Sequence, residues 1–149
     1  MSDAFSIRPM VKSDEPFIFR AWLEGYWPHF PGRVVMSRGE FMERWHIIIE
    51  RILADPKTRT VVAHVEGHPD MLLGFACGSD ECLHWAYVKQ AFRQMGIASA
   101  LLQSSPVSCE GNGHYISHWC ASLPPLRHWH YAPELLNEYW ICRIEEENP

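Results

Sequence analysis

An amphipathic helix followed at once by three β-runs most limits what this chain can become. Ser37-Arg38-Gly39-Glu40 has the form of a capping box, and behind it Phe41, Trp45, Ile48, Ile49 and Ile52 recur at helical spacing. Asp55-Pro56 ends the helix, because the residue before a proline is pushed out of the α region. A single apolar stripe has to be buried against another element, and the runs that follow supply a sheet. Thr60–Val65 is β-branched, Gly67-His68-Pro69-Asp70 turns the chain, and Met71–Cys77 returns as the second arm of a hairpin. Gly78-Ser79-Asp80 turns again, and Cys82–Val88 reads as the next strand.

Other elements flank this centre. Phe5–Met10 reads as a first strand, and Ser13 and Asp14 can cap a helix with Pro16 in its first turn, running to about Leu23. Gly25 to Gly32 holds two prolines and two glycines and reads as a loop. Its aromatics, Tyr26, Trp27 and Phe30, either fold back onto the core or wall a substrate pocket. After Val88 the period changes from two to 3.6. Ile97, Ala98, Leu101 and Leu102 share one face of a short helix that begins near Gly96 and ends before Pro106. Beyond a Gly111-Asn112-Gly113 turn, Tyr115–Ala121 reads as a strand, Ala132–Asn137 as a short helix and Glu138–Ile144 as a final strand. No repeat or linker interrupts the 149 residues, so a single domain over 1–149 is expected.

Composition narrows the function classes. Hydrophobic residues make up 47 % and charged residues 21 %, which suits a globular core rather than a disordered chain. The formal net charge of −5 argues against a general nucleic-acid binder, which gathers Lys and Arg to neutralise phosphates. Five cysteines without a CxxC pair, and no leader-like start, suggest reduced thiols in a cytoplasm. No apolar run approaches the roughly 20 residues that span a bilayer.

The segment from Trp85 to Leu102 carries the chemistry. A strand ends, a turn brings Arg93 and Gly96, and a helix opens. The first amides of a helix lack intrahelical partners and, with the helix dipole, suit an anion. Gly96 has no Cβ to hold a phosphate off the backbone, Ala98 is nearly as small, and Arg93 can add charge-assisted hydrogen bonds. The segment is neither a Walker loop nor a dinucleotide fingerprint, since Gly-Lys-Ser/Thr and GxGxxG are absent.

Arg93-Gln94-Met95-Gly96-Ile97-Ala98 resembles the R/Q-x-x-G-x-G/A signature of the GCN5-related N-acetyltransferase (GNAT) superfamily, and Tyr87-Val88, Phe92 and Ser99-Ala100-Leu101-Leu102 resemble its flanks. The resemblance covers residues 5–104 in architecture and is specific over 85–102. It implies an α/β fold with a mixed, mostly antiparallel central sheet flanked by helices. It also implies an enzyme moving an acetyl group from acetyl-CoA to an amine of a small molecule, peptide or protein, with no metal. Main-chain groups of Tyr87 and Val88 would align the thioester, the Val88 N–H acting as an oxyanion donor. Main-chain amides of Gln94, Met95, Gly96, Ile97, Ala98 and Ser99 would hold the pyrophosphate, with Arg93 beside them.

From about residue 105 the chain diverges from that pattern, and the late helix with its Asn and Tyr is not found. The catalytic candidates are therefore read from position and chemistry. His84 and Glu81 lie on or beside the third strand of the centre and could take the amine proton, and Tyr131 could return one to the thiolate. Tyr26, Trp27 and Phe30, with Trp85 or Trp129, would border an acceptor with a flat or cationic group. A competing reading gathers His114, His118, Cys120, His128 and His130 into a zinc site, although their spacing fits no standard finger. Two further functions stay open: a non-catalytic CoA- or partner-binding module, and an enzyme modifying an extruded nucleic-acid base. An open sheet edge near the C terminus would allow a homodimer.

Overall fold

In the computed structural model, the described residues are 5–80, 82–104, 115–118 and 130–139. They form a six-stranded sheet in the order β1-β2-β3-β4-β5-β6. The strands are β1 (Phe5–Pro9), β2 (Arg59–Val65), β3 (His68–Gly78), β4 (Leu83–Val88), β5 (Tyr115–Ile116) and β6 (His130–Tyr131), and the α-helices are α1 (Glu15–Tyr26), α2 (Arg38–Ala54) and α3 (Ile97–Ser104). β1 to β4 form an antiparallel meander, whereas β4–β5 and β5–β6 pair in parallel. The sheet is mixed and mostly antiparallel, as expected.

Helices cover both faces. The α2 stripe of Phe41, Trp45, Ile48, Ile49 and Ile52 is fully or almost fully buried, and with Ile18, Trp22 and Tyr26 of α1 it packs against Val62, Phe75, Cys77 and Trp85. On the other face, Ile97 and Leu101 of α3 pack against Ala63, Leu73, Ala76 and Val88. Covering on both sides explains why the second half of β3 is a continuous apolar run, with every residue from Leu72 to Gly78 buried. Ser37 caps α2, its Oγ accepting from the Glu40 amide at 3.1 Å.

Several boundaries differ from those expected. α1 continues past Leu23 to Tyr26, and the expected loop is wound into two 3-10 turns, Trp27–His29 and Pro31–Val34. Burial of Trp22 and Tyr26 stabilises the extra turn and outweighs the low helix propensity of Gly25. Asp14 does not cap α1. Its carboxylate accepts from the Val11 amide at 2.9 Å and from Arg8 Nη1 at 2.7 Å, so it ties the chain entering α1 to β1. The β2–β3 turn is tighter than expected, with Gly67 at φ +81° and β3 starting at His68. Glu138 and Tyr139 lie in a helical turn rather than a strand. That turn is pinned to the end of α2: the Tyr139 hydroxyl donates to Asp55 at 2.9 Å, and Arg51 donates to the Tyr139 carbonyl at 3.1 Å. The expected Tyr115–Ala121 strand is extended only at Tyr115–Ile116, bends at 117–118, and passes beyond the described residues at 119.

Candidate active site

The residues expected to cradle an anion lie in the chain between β4 and α3. A 3-10 turn at Gln90–Phe92 leads to Arg93, and Gln94 and Gly96 then take left-handed conformations at φ 69° and 82°. Nothing lies within 4 Å of where a Gly96 Cβ would stand. The first bond of α3 runs from the Ala100 amide to the Gly96 carbonyl at 3.0 Å. The amides of Ile97, Ala98 and Ser99 thus precede any intrahelical acceptor. Ile97 is buried and anchors the helix, while Gln94, Met95, Gly96, Ala98 and Ser99 are exposed. Arg93 Nε donates to the Val88 carbonyl at 2.8 Å, and its guanidinium carbon lies 5.9 Å from the centre of the Tyr87 ring. Arg93 therefore braces the cradle against the end of β4.

β4 has two unlike edges. The Lys89 amide donates to the Leu73 carbonyl at 2.8 Å, so Trp85, Tyr87 and Lys89 direct their backbone groups to β3. Ala86 and Val88 direct theirs to the opposite edge. There, among the described residues, β4 pairs with β5 only at Leu83↔Ile116. The Val88 amide lies on this edge, away from β3 and a few residues before α3. Gly74 lets the other edge close: a Cβ there would collide with the Tyr87 carbonyl oxygen and stand 3.0 Å from Val88 Cα.

An antiparallel meander, a parallel β4–β5 step and a helix opening behind a left-handed glycine form one recognisable arrangement. Solved structures share the overall fold. An assigned acetyl transferase from Pyrococcus furiosus superposes with a TM-score of 0.52 at 22 % identity, over 66 % of this chain and 70 % of that one. The chain has the GNAT acetyltransferase fold. The aminoglycoside N-acetyltransferase AAC(6')-Iy, solved with CoA, is similar at TM-score 0.47 and 21 % identity, over 69 % of this chain and 67 % of that one. Escherichia coli YjaB is similar at TM-score 0.47 and 17 % identity, over 68 % and 63 %. No family model and no curated protein matches the chain. In the GNAT fold of this chain the expected cradle residues and the Tyr87-Val88 strand end are neighbours.

The catalytic candidates fare differently. His84 is not an open base. It is 3 % exposed, and its Nδ1 lies 2.6 Å from Ser117 Oγ. Ser117 Oγ lies 2.8 Å from His118 Nδ1, and His118 Nε2 accepts from the Trp45 indole at 3.0 Å. An indole N–H only donates, which sets the direction of the relay. His118 accepts at Nε2 and donates from Nδ1 to Ser117, whose hydroxyl donates to His84 Nδ1. Burial, with the charge of Lys57, lowers the His84 pKa to about 4; burial also holds His118 well below the ordinary histidine value. Both rings are neutral near pH 7. Sequence reasoning did not link these residues, because they come from α2, β4 and the bend after β5. The one sequence signal was the dense histidine tract.

Tyr131 is 37 % exposed, and its hydroxyl is hydrogen-bonded to Tyr26. Burial raises its pKa, so it stays protonated at neutral pH. Tyr26, Phe30, Trp45 and Tyr131 line a cavity of about 490 Å³. Trp27 packs instead on Phe30 and Phe41, and Trp85 is buried against Tyr26 with its indole N–H unpartnered. Glu81 and Trp129 lie outside the described residues, as do His114, Cys120 and His128 of the alternative zinc reading. His118 spends both ring nitrogens in the relay, and no metal-holding group of His, Cys, Asp or Glu occurs among the described residues.

Proposed function

We propose that the chain is an acyl-CoA-dependent N-acetyltransferase that moves an acetyl group to an amine. The observation carrying this reading is the Val88 amide, on the edge of β4 that faces away from β3, followed by the α3 amides that have no intrahelical acceptor. Amides of residues 94–99 hold the pyrophosphate, and their positive end of the helix offsets its charge. The exposed Gly96 admits the phosphate, because no side chain stands between it and the backbone. The pantetheine arm lies along the β4 edge that faces away from β3, where the Val88 N–H donates to the thioester carbonyl oxygen. That donor gains strength as negative charge develops on the oxygen. The incoming neutral amine attacks the carbonyl carbon and the C–S bond breaks; the amine proton passes to solvent water, while the Tyr131 hydroxyl gives its proton to the thiolate and regains one from water. Much of the rate comes from placing amine and thioester together.

Calorimetry with CoA, and acetyl transfer across an amine panel, test this reading. CoA binding that survives in Gly96→Val at unchanged affinity would overturn the cradle. The sequestration of His84 favours a second reading, a CoA-binding module without turnover, which predicts CoA binding with no transfer to any amine.

A further inference from the structure

The cavity beside Tyr131 has an unusual wall. Tyr26 from the end of α1, Phe30 from the following turn, Trp45 from α2 and Tyr131 from β6 present aromatic rings; Glu134 and Asn137 complete the rim. Among the described residues of the lining, Glu134 is the one that carries a charge. The polar handles of the deepest rings are already engaged. The Trp45 indole donates to His118 at 3.0 Å, away from the cavity, and the Tyr26 side chain bonds Tyr131. His118 also sits edge-on to Tyr26 at 4.7 Å between ring centres, so the same buried relay holds both rings in place. Among the described residues, these walls offer a ligand aromatic side chains, the Tyr131 hydroxyl, the Asn137 amide and one carboxylate.

Each ligand class meets this lining differently. An anion would face Glu134 without a counter-charge. A neutral apolar group would cover the carboxylate and give nothing back for its lost water. An ammonium is attracted both by the negative faces of the rings and by Glu134. The volume falls within the range of small-molecule sites. We propose that this cavity binds the cationic group of a small-molecule diamine, gripping one ammonium with the aromatic walls and Glu134.

The location fits a second nitrogen being the one that reacts, an extension that rests on the acetyltransferase reading. The Tyr26 ring is 5.3 Å from that of Trp85 on β4. From Trp85 to Val88 the strand advances about 10 Å, at roughly 3.3 Å per residue. A nitrogen that attacks a thioester has to be neutral, whereas one held between a carboxylate and π faces stays charged. The two tasks therefore fall to different nitrogens of one molecule.

The test is equilibrium binding of 1,6-diaminohexane, 1,6-hexanediol and hexanedioate to the full chain without CoA, followed by tryptophan fluorescence and calorimetry. The diamine is expected to bind at least tenfold tighter than the diol, with no binding of the diacid. Glu134→Gln should weaken the diamine about fivefold and leave the diol unchanged, as for a partly exposed ion pair. Phe30→Leu should weaken the diamine more than the diol, with melting curves verifying the fold of both variants. Equal affinity for diamine and diol, or an unchanged diamine affinity in Glu134→Gln, would overturn the proposal. Diamine binding without acetyl transfer to any amine would leave this site standing and remove the enzyme. Transfer to monoamines, with a diamine bound no better than the diol, would do the reverse.

Discussion

The two halves of the candidate site are made of different material. The candidate cradle at 93–99 is backbone: left-handed turns at Gln94 and Gly96, amides left over from the start of α3, and exposed residues apart from the buried Ile97. The cavity is side chain: Tyr26, Phe30, Phe41 and Trp45 interlock at ring-centre distances of 4.8 to 5.9 Å, and His118 ties them to β4 through Ser117 and His84. The difference teaches where robustness lies. Damage to the cradle should alter binding with little loss of stability. Damage to the aromatic side should unfold the protein first.

The sharpest way to break this contrast is Phe41→Ala. Phe41 is fully buried, so the substitution should cost about 3–5 kcal/mol in urea unfolding. A loss under 1 kcal/mol would mean that the aromatic cluster is not the structural half.

Acid probes the relay next. The folded His84 pKa lies near 4 against an ordinary 6.5. The unfolded chain therefore takes up this proton first, and stability is full above about pH 6.5 and falls as pH drops towards 4. At pH 5 the loss from His84 alone should be roughly 2 kcal/mol, with His118 adding to it in the same direction. Denaturant midpoints between pH 7 and 5 measure this, and His84→Asn should flatten the slope.

Gly96→Val should reverse the pattern. The left-handed backbone makes it cost about 1–2 kcal/mol in stability. CoA affinity by calorimetry should nevertheless fall at least tenfold, because a branched side chain enters the phosphate space. Ser37→Ala serves as the smallest case. Loss of the cap should cost about 1 kcal/mol in melting experiments and leave CoA binding as it is.

Legibility in the sequence followed the same division. The α2 stripe, its Ser37 cap and the three central strands are local patterns with a fixed period, and they appear in the fold with boundaries shifted by a few residues. The cradle was legible because a strand, a turn with Gly96 and a short apolar helix are consecutive in the chain. The extension of α1 to Tyr26 was not, since burial of Trp22 and Tyr26 overrode Gly25 and Pro28. The burial of His84 was not legible, because a strand histidine has no marker for which neighbour will cover it. The helical turn at Glu138 and Tyr139 depends on Asp55 and Arg51, more than 80 positions away.

From sequence alone, hydrophobic period and glycine placement set the helices, the meander and the amide-lined turn. These need only near neighbours, whose geometry the backbone itself enforces. Tertiary structure decided which rings wall the cavity, which way the Trp45 indole points and that two histidines stay neutral in the interior. Those outcomes depend on desolvation and on hydrogen bonds between distant segments, and such quantities exist only once the chain has closed around them.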